Sequence, residues 1–167
     1  SNFVAGVNAG NSIVSGGNNN TLVGDEAGTA ITTGDDNTAV GKSALESNTT
    51  GSSNTAVGDN SLSANTTAAN NVAVGGYALS TNTTGTANVA VGKIALRFNT
   101  TADNNTAIGY SALYANTTGS NNTANGYNAL TANTTGEYNT AHGVKALESN
   151  TTGTQNTSVG FQSLKNN

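Results

Sequence analysis

The sequence predicts an all-β chain wound as a parallel β-solenoid, a β-roll of stacked 17-residue coils, and three observations carry that expectation. The first is the period: a glycine, most often preceded by Val, stands at 24, 41, 58, 75, 92, 109, 126, 143 and 160, always seventeen apart. The second is that other residue types keep the same register. Asn recurs at 37, 54, 71, 88, 105, 122, 139 and 156, and Leu at 45, 62, 79, 96, 113, 130, 147 and 164. An Asn-Thr-Thr triplet begins at Asn48, Asn65, Asn82, Asn99, Asn116, Asn133 and Asn150. The third is composition. Val, Ile, Leu and Phe together number 28 of 167 residues, against 29 Asn and 28 Thr, and only 8% of residues are charged. That is too little apolar mass for one ordinary core and too little charge for a chain held open by repulsion. Stacked repeats solve the problem by placing equivalent residues beside one another as ladders.

Along the chain, Asn2, Asn11 and Asn20 are nine apart, so residues 1–19 read as shorter, degenerate coils or a junction. Residues 20–167 read as the repeat solenoid, with coils starting at 20, 37, 54, 71, 88, 105, 122, 139 and 156. Seventeen residues are too few for a helix-turn-helix repeat, whose units run to about 33 residues or more. Each coil opens on strand-like material: "NTAVG", "NVAVG" and "NTAIG" are rich in Thr and Val and end on Gly. The middle of the coil, as in "KSALES" or "YSALYA", contains helix formers, so a second strand or one short helical turn is expected there. Asn-Thr-Thr-Gly, relaxed to Ala at 68 and 102, then suits a turn held by side-chain hydrogen bonds, with Asn amides and Thr hydroxyls reaching their copies in neighbouring coils. At a spacing of about 4.8 Å, roughly nine coils make a rod about 40 Å long.

Neighbouring residues in a strand point to opposite faces. The third place of the coil is almost always Ala (Ala39, Ala56, Ala73, Ala90, Ala107, Ala124, Ala141). The fourth is aliphatic in most coils (Val23, Val40, Val57, Val74, Val91, Ile108, Val159). One ladder faces the coil interior and the other must face away from it. A continuous aliphatic stripe outside a soluble rod asks for a partner. Self-association along Val40, Val57, Val74, Val91, Ile108 and Val159 is therefore expected, and a parallel homotrimer covers three identical stripes on one axis. Asn125 and His142 replace the aliphatic residue in adjacent coils. On a shared axis their copies pair with one another or with water and help fix register; a transition metal held by axial His142 copies with Asn125 is the sharper alternative.

The motifs "NTAVG", "NVAVG" and "NTAIG" resemble the core of the head repeats of trimeric autotransporter adhesins (YadA-like heads). The longer run of Asn-Thr-Ala-Val-Gly, Ala-Leu and Asn-Thr-Thr-Gly resembles repeat arrays of phage tail fibres, over about residues 20 to 167. The adhesin resemblance implies a left-handed parallel β-roll, three of which pack into a trimer that attaches to host surfaces. This chain departs from the adhesin pattern by its longer period and its Asn-Thr-Thr triplet, so the tail-fibre resemblance is the better match.

Other classes find little support. No run approaches the ~18 apolar residues of a membrane span, and no signal or transit segment is visible at the start. Without cysteine there is no disulfide framework and no Cys-based zinc site. A net charge of −4 with five scattered basic residues does not suit nucleic acid. His142 is the only histidine and sits on a repeat ladder, so no Ser-His-Asp relay is built around it. "GDD" at 34–36 lacks the alternating carboxylates of a calcium loop, and "SGGNNN" lacks the Lys-Ser/Thr of a phosphate loop.

The expected function is thus a non-catalytic shaft of an extracellular or virion fibre used for attachment, with no cofactor. Its expected partners are copies of itself and a cell-surface glycan or receptor. Repeats that run to the last residue point to a piece of a longer fibre, since solenoids need caps. Two surface features compete for a binding role. The Asn-Thr-Thr ladder is a regular array of hydroxyls and methyls that suits an ice-binding solenoid, although only one of two adjacent Thr faces out. Tyr77, Phe98, Tyr110, Tyr114, Tyr127, Tyr138 and Phe161 occupy variable places. Of these, Tyr110, Tyr114 and Tyr127 are the nearest to a sugar-stacking cluster.

Overall fold

The computed structural model describes residues 1–166. It contains ten three-residue strands: β1 Phe3–Ala5, β2 Thr21–Val23, β3 Thr38–Val40, β4 Thr55–Val57, β5 Val72–Val74, β6 Val89–Val91, β7 Thr106–Ile108, β8 Thr123–Asn125, β9 Thr140–His142 and β10 Thr157–Val159. They pair in sequence order as one parallel sheet, one strand per coil. The register never slips: Thr38 lies beside Thr55, Ala39 beside Ala56 and Val40 beside Val57, and so on down the rod. The chain is a parallel β-solenoid.

The first coil is full-sized. Phe3 pairs with Thr21 rather than with a residue seventeen further on, so residues 2–19 hold one extra residue. Asn2 nevertheless makes the bonds of its later copies: its Nδ2 donates to the Gly17 carbonyl at 2.7 Å, and its Oδ1 accepts from the Asn20 backbone at 2.8 Å.

The middle of the coil is neither helix nor second strand. The described residues contain no helix, and the only strands are the ten above. Ser43 (φ 53°) and Leu45 (φ 52°) are both left-handed, with Ala44 between them on the ordinary side, and this alternation repeats in each later coil. The alternation breaks the run of right-handed residues that a helical turn through Ser43–Leu45 needs. The alternation turns successive N–H groups in different directions. Ser43 donates to the Asp25 carbonyl in the coil before, Ala44 to Gly41 in its own coil, and Leu45 to Ser61 in the coil after. A left-handed Leu costs about 1–2 kcal/mol, and each one from Leu45 to Leu147 is fully buried, which offsets that cost with roughly 2 kcal/mol of apolar burial.

The interior is thin. Ala39, Ala44 and Leu45 and their copies fill it from one side, and two asparagine ladders fill it from the other. Asn48, Asn65, Asn82, Asn99, Asn116 and Asn133 have no solvent exposure, and Asn150 almost none. From Asn65 onward each links to the coil before: Asn65 Nδ2 to Asn48 Oδ1 at 2.8 Å, Asn99 to Asn82 at 2.9 Å, Asn116 to Asn99 at 3.0 Å. A second ladder at Asn37, Asn54 and their copies accepts at Oδ1 from the backbone N–H of the next Asn, as in Asn54 to Asn37 at 3.0 Å. Both ladders converge on one carbonyl per coil; Gly51 receives Asn37 Nδ2 and Asn48 Nδ2, each at 2.9 Å. Buried amides that would otherwise be costly are thus satisfied coil by coil.

The second coil redistributes the same volume. Leu22 stands where later coils have Ala, Gly28 where they have Leu, and Ile31 where they have the ladder Asn. All of Leu22, Ile31 and Gly28 are buried, and a Cβ on Gly28 would come within 2.8 Å of both Leu22 and Ile31. Large and small residues have changed places around one filled space.

Candidate functional site

Three surfaces of the rod carry the residues singled out by sequence. On the sheet, each strand points its central residue inward and its outer two outward, so Ala39 is buried while Thr38 and Val40 are half-buried. Val23, Val40, Val57 and Val74 form a half-buried outward column, which opens further at Val91, Ile108 and, at 67% exposure, Val159. The neighbouring outward column is Thr in most coils, and Val72 and Val89 make it apolar in the middle of the rod. Among the described residues the strands contact only their neighbours in this one sheet, and no second sheet packs over this face. Asn125 and His142 continue the column in β8 and β9, between Ile108 and Val159. Asn125 is half-buried and His142 exposed. The described residues hold no group of three or more His, Cys, Asp or Glu suited to a metal, so an ion at His142 requires copies of the chain.

The Asn-Thr-Thr edge divides its two threonines. From Thr49 to Thr134 the first is half-buried and its hydroxyl donates to the backbone of the coil after, as from Thr49 Oγ1 to the Thr66 carbonyl at 3.0 Å. The second is exposed: Thr33, Thr50, Thr67, Thr84, Thr101, Thr118, Thr135 and Thr152 form one outward column.

On the turn segment that follows the strand, the aromatics pair differently from the sequence expectation. Tyr110 and Tyr127 stack with centroids 5.5 Å apart and planes 13° apart. Tyr114, expected to join them, instead meets Phe98 edge-to-face at 5.0 Å. The guanidinium of Arg97 lies 5.2 Å from the Tyr77 ring and 5.3 Å from the Phe98 ring. Arg97 was missed by the sequence reading; its signal there is only that it is the sole arginine and adjoins Phe98. Tyr138 lies exposed near the following Asn ladder rather than on this turn, and Phe161 is exposed at 74% in the last coil.

Further along the same turn segment, Lys145 and Lys165 reach Glu148 at 3.2 and 3.4 Å. Desolvation pushes the Glu148 carboxyl up, but hydrogen bonds from the two lysines and their charge together outweigh it and hold the group below its usual value. The surface has no enclosed pocket among the described residues. No protein-family model matches the chain, and no curated protein or solved structure matches it either.

Proposed function

We propose that the chain is a shaft segment of an extracellular or virion fibre, a parallel homotrimer that serves attachment and carries no catalysis. The observation behind this reading is the outward aliphatic column from Val23 to Ile108, half-buried at Val23 to Val74 and exposed at Val91 and Ile108. A solvent-facing apolar column of this length suits an interaction site. Its straight register on a single sheet suits a partner with the same repeat, and another copy of the chain has that repeat by construction. In such an assembly Asn125 and His142 face their own copies, and polar residues in an apolar seam penalise slipped registers. The resemblance to adhesin heads and tail-fibre arrays supports the same assignment by analogy alone.

Light scattering behind a sizing column tests it. The proposal expects a stable species at three times the 16.4 kDa chain mass. A clean monomer overturns the seam. The exposed Thr column then supports the alternative, an ice-binding solenoid, and ice-growth inhibition by the monomer with its loss in a Thr84→Leu, Thr101→Leu variant is the corresponding check.

A further inference from the structure

We infer that the turn surface around Arg97 is a binding platform for a carboxylate-bearing polysaccharide. Such a ligand gives the attachment reading its chemistry and rests on that reading for its biological purpose.

Four side chains from three successive coils make the platform: Tyr77, Arg97, Phe98 and Tyr114. The Arg97 guanidinium lies over two rings, at 5.2 Å from Tyr77 and 5.3 Å from Phe98, and Phe98 meets Tyr114 edge-to-face in turn at 5.0 Å. Both Tyr77 and Phe98 remain more than one-third exposed. A guanidinium stacked on rings keeps its in-plane N–H donors available, and an arginine already held in place loses little entropy when it binds. Those donors are under-used. Among the described residues both salt bridges involve Glu148, so no carboxylate of the chain neutralises Arg97. Its Nε is buried without a hydrogen-bond partner, so a carboxylate from outside meets the two terminal nitrogens.

Charge places an anion here. The chain is acidic overall, at −4, yet the turn segments of the coils starting at 71, 88, 105 and 122 carry Lys93 and Arg97 and no acid; the nearest acid on this turn is Asp59 in the coil before, whose backbone carbonyl accepts from the Tyr77 N–H. The two acids of these coils, Asp103 and Glu137, lie just past the Thr edge; Asp103 is engaged there by the Thr86 backbone N–H at 2.6 Å and hydroxyl at 3.0 Å. A carboxylate matches the planar fork of arginine in two parallel hydrogen bonds. The rings beside it supply flat apolar faces for the C–H faces of a pyranose. The platform runs along the rod, with the Tyr110–Tyr127 stack further on, and no enclosed pocket accompanies it. An elongated open surface with one fixed cation fits a linear acidic sugar chain better than a small molecule, which needs a concave site.

Calorimetric titration of the full chain with a defined oligogalacturonate and with its methyl-esterified counterpart tests the assignment. The expected result is saturable binding of the free acid, weakened about tenfold or more by Arg97→Gln or by esterification, the loss that one charge-assisted bidentate contact represents. Arg97→Lys keeps the charge without the fork and is expected to bind more weakly than the parent. Lys42→Gln, on a different coil, is expected to bind as the parent does, and circular dichroism checks that each variant keeps its fold. Absence of binding by the parent, or binding by Arg97→Gln or by the ester within twofold of the parent pair, overturns the assignment. So does equal binding of a sulfated dextran, which would reduce the site to general anion attraction. A trimer that fails to bind sinks the glycan site alone, whereas a monomer that binds keeps the site and sinks the shaft.

Discussion

Asn65 donates from Nδ2 to Asn48 Oδ1 in the coil before, at 2.8 Å, and from the same nitrogen to the Ala68 carbonyl in its own coil, at 3.1 Å. One buried amide therefore ties a turn closed and ties two coils together. A mid-ladder substitution removes both functions. Asn99→Ala leaves Asn116 Nδ2 without its acceptor on Asn99 and deletes the bond to the Ala102 carbonyl. The expected loss is about 3 kcal/mol of stability, from a lost donor, a stranded donor and a small cavity. Urea unfolding followed by circular dichroism measures it. An exposed neighbour, Thr101→Ala, is expected to stay within about 0.5 kcal/mol of the parent.

Two glycine columns should respond differently to alanine. Gly109 has φ 129°, and a Cβ there would come within 2.6 Å of the Gly126 carbonyl, which is rigid backbone. Gly109→Ala is expected to cost about 3 kcal/mol or more. Gly119 also has a carbonyl in the way, that of Gly136, but its φ is not left-handed and the same column already holds Ala68 and Ala102 in other coils. Gly119→Ala is expected to cost about 1 kcal/mol or less. Thermal unfolding of the two variants side by side settles the contrast.

The second coil offers a volume test. Gly28→Leu alone overfills the space between Leu22 and Ile31 and is expected to destabilise by about 1–3 kcal/mol. Adding Leu22→Ala and Ile31→Asn restores the arrangement of the later coils, and the triple variant is expected to recover most of the loss. A triple variant no better than the single one would show that the two sets of core residues are not equivalent.

Glu148 gives the pH dependence. Its carboxyl is held below the usual value when folded, so its stabilising contribution is present above the ordinary carboxylate range and is lost as pH falls through the lowered folded value. Lys165→Ala removes one of its two cations and is expected to raise that value, as read by NMR titration of the Glu148 side chain. An unchanged titration would mean that Lys145 alone holds the group.

The solenoid was legible because a strict period leaves little freedom: once Gly24 and Gly41 are equivalent, Ala39 and Ala56 must stack. The Ala and Val of a coil were correctly assigned to opposite faces for the same reason. The corners were not legible. Leu45 and Ala44 favour helix locally, and only the hydrogen bonds to neighbouring coils, absent from any single-repeat reading, draw Leu45 into the left-handed region. The first coil was obscured by one extra residue and by the nine-residue spacing of Asn2, Asn11 and Asn20. The Arg97 cluster was hidden because Tyr77, Phe98 and Tyr114 occupy different places in their coils and meet only after the chain has wound.

Whether copies of the chain meet along the Val column is read by cysteine mapping, since the chain has no cysteine of its own. Val74→Cys places one thiol on the outward column, and Thr84→Cys places one on the exposed Thr edge of the same coil. Under mild oxidation the seam predicts that Val74→Cys forms disulfide-linked dimers, visible on a non-reducing gel, while Thr84→Cys stays a single chain. A Val74→Cys protein that remains a single chain, or a Thr84→Cys protein that cross-links instead, contradicts it.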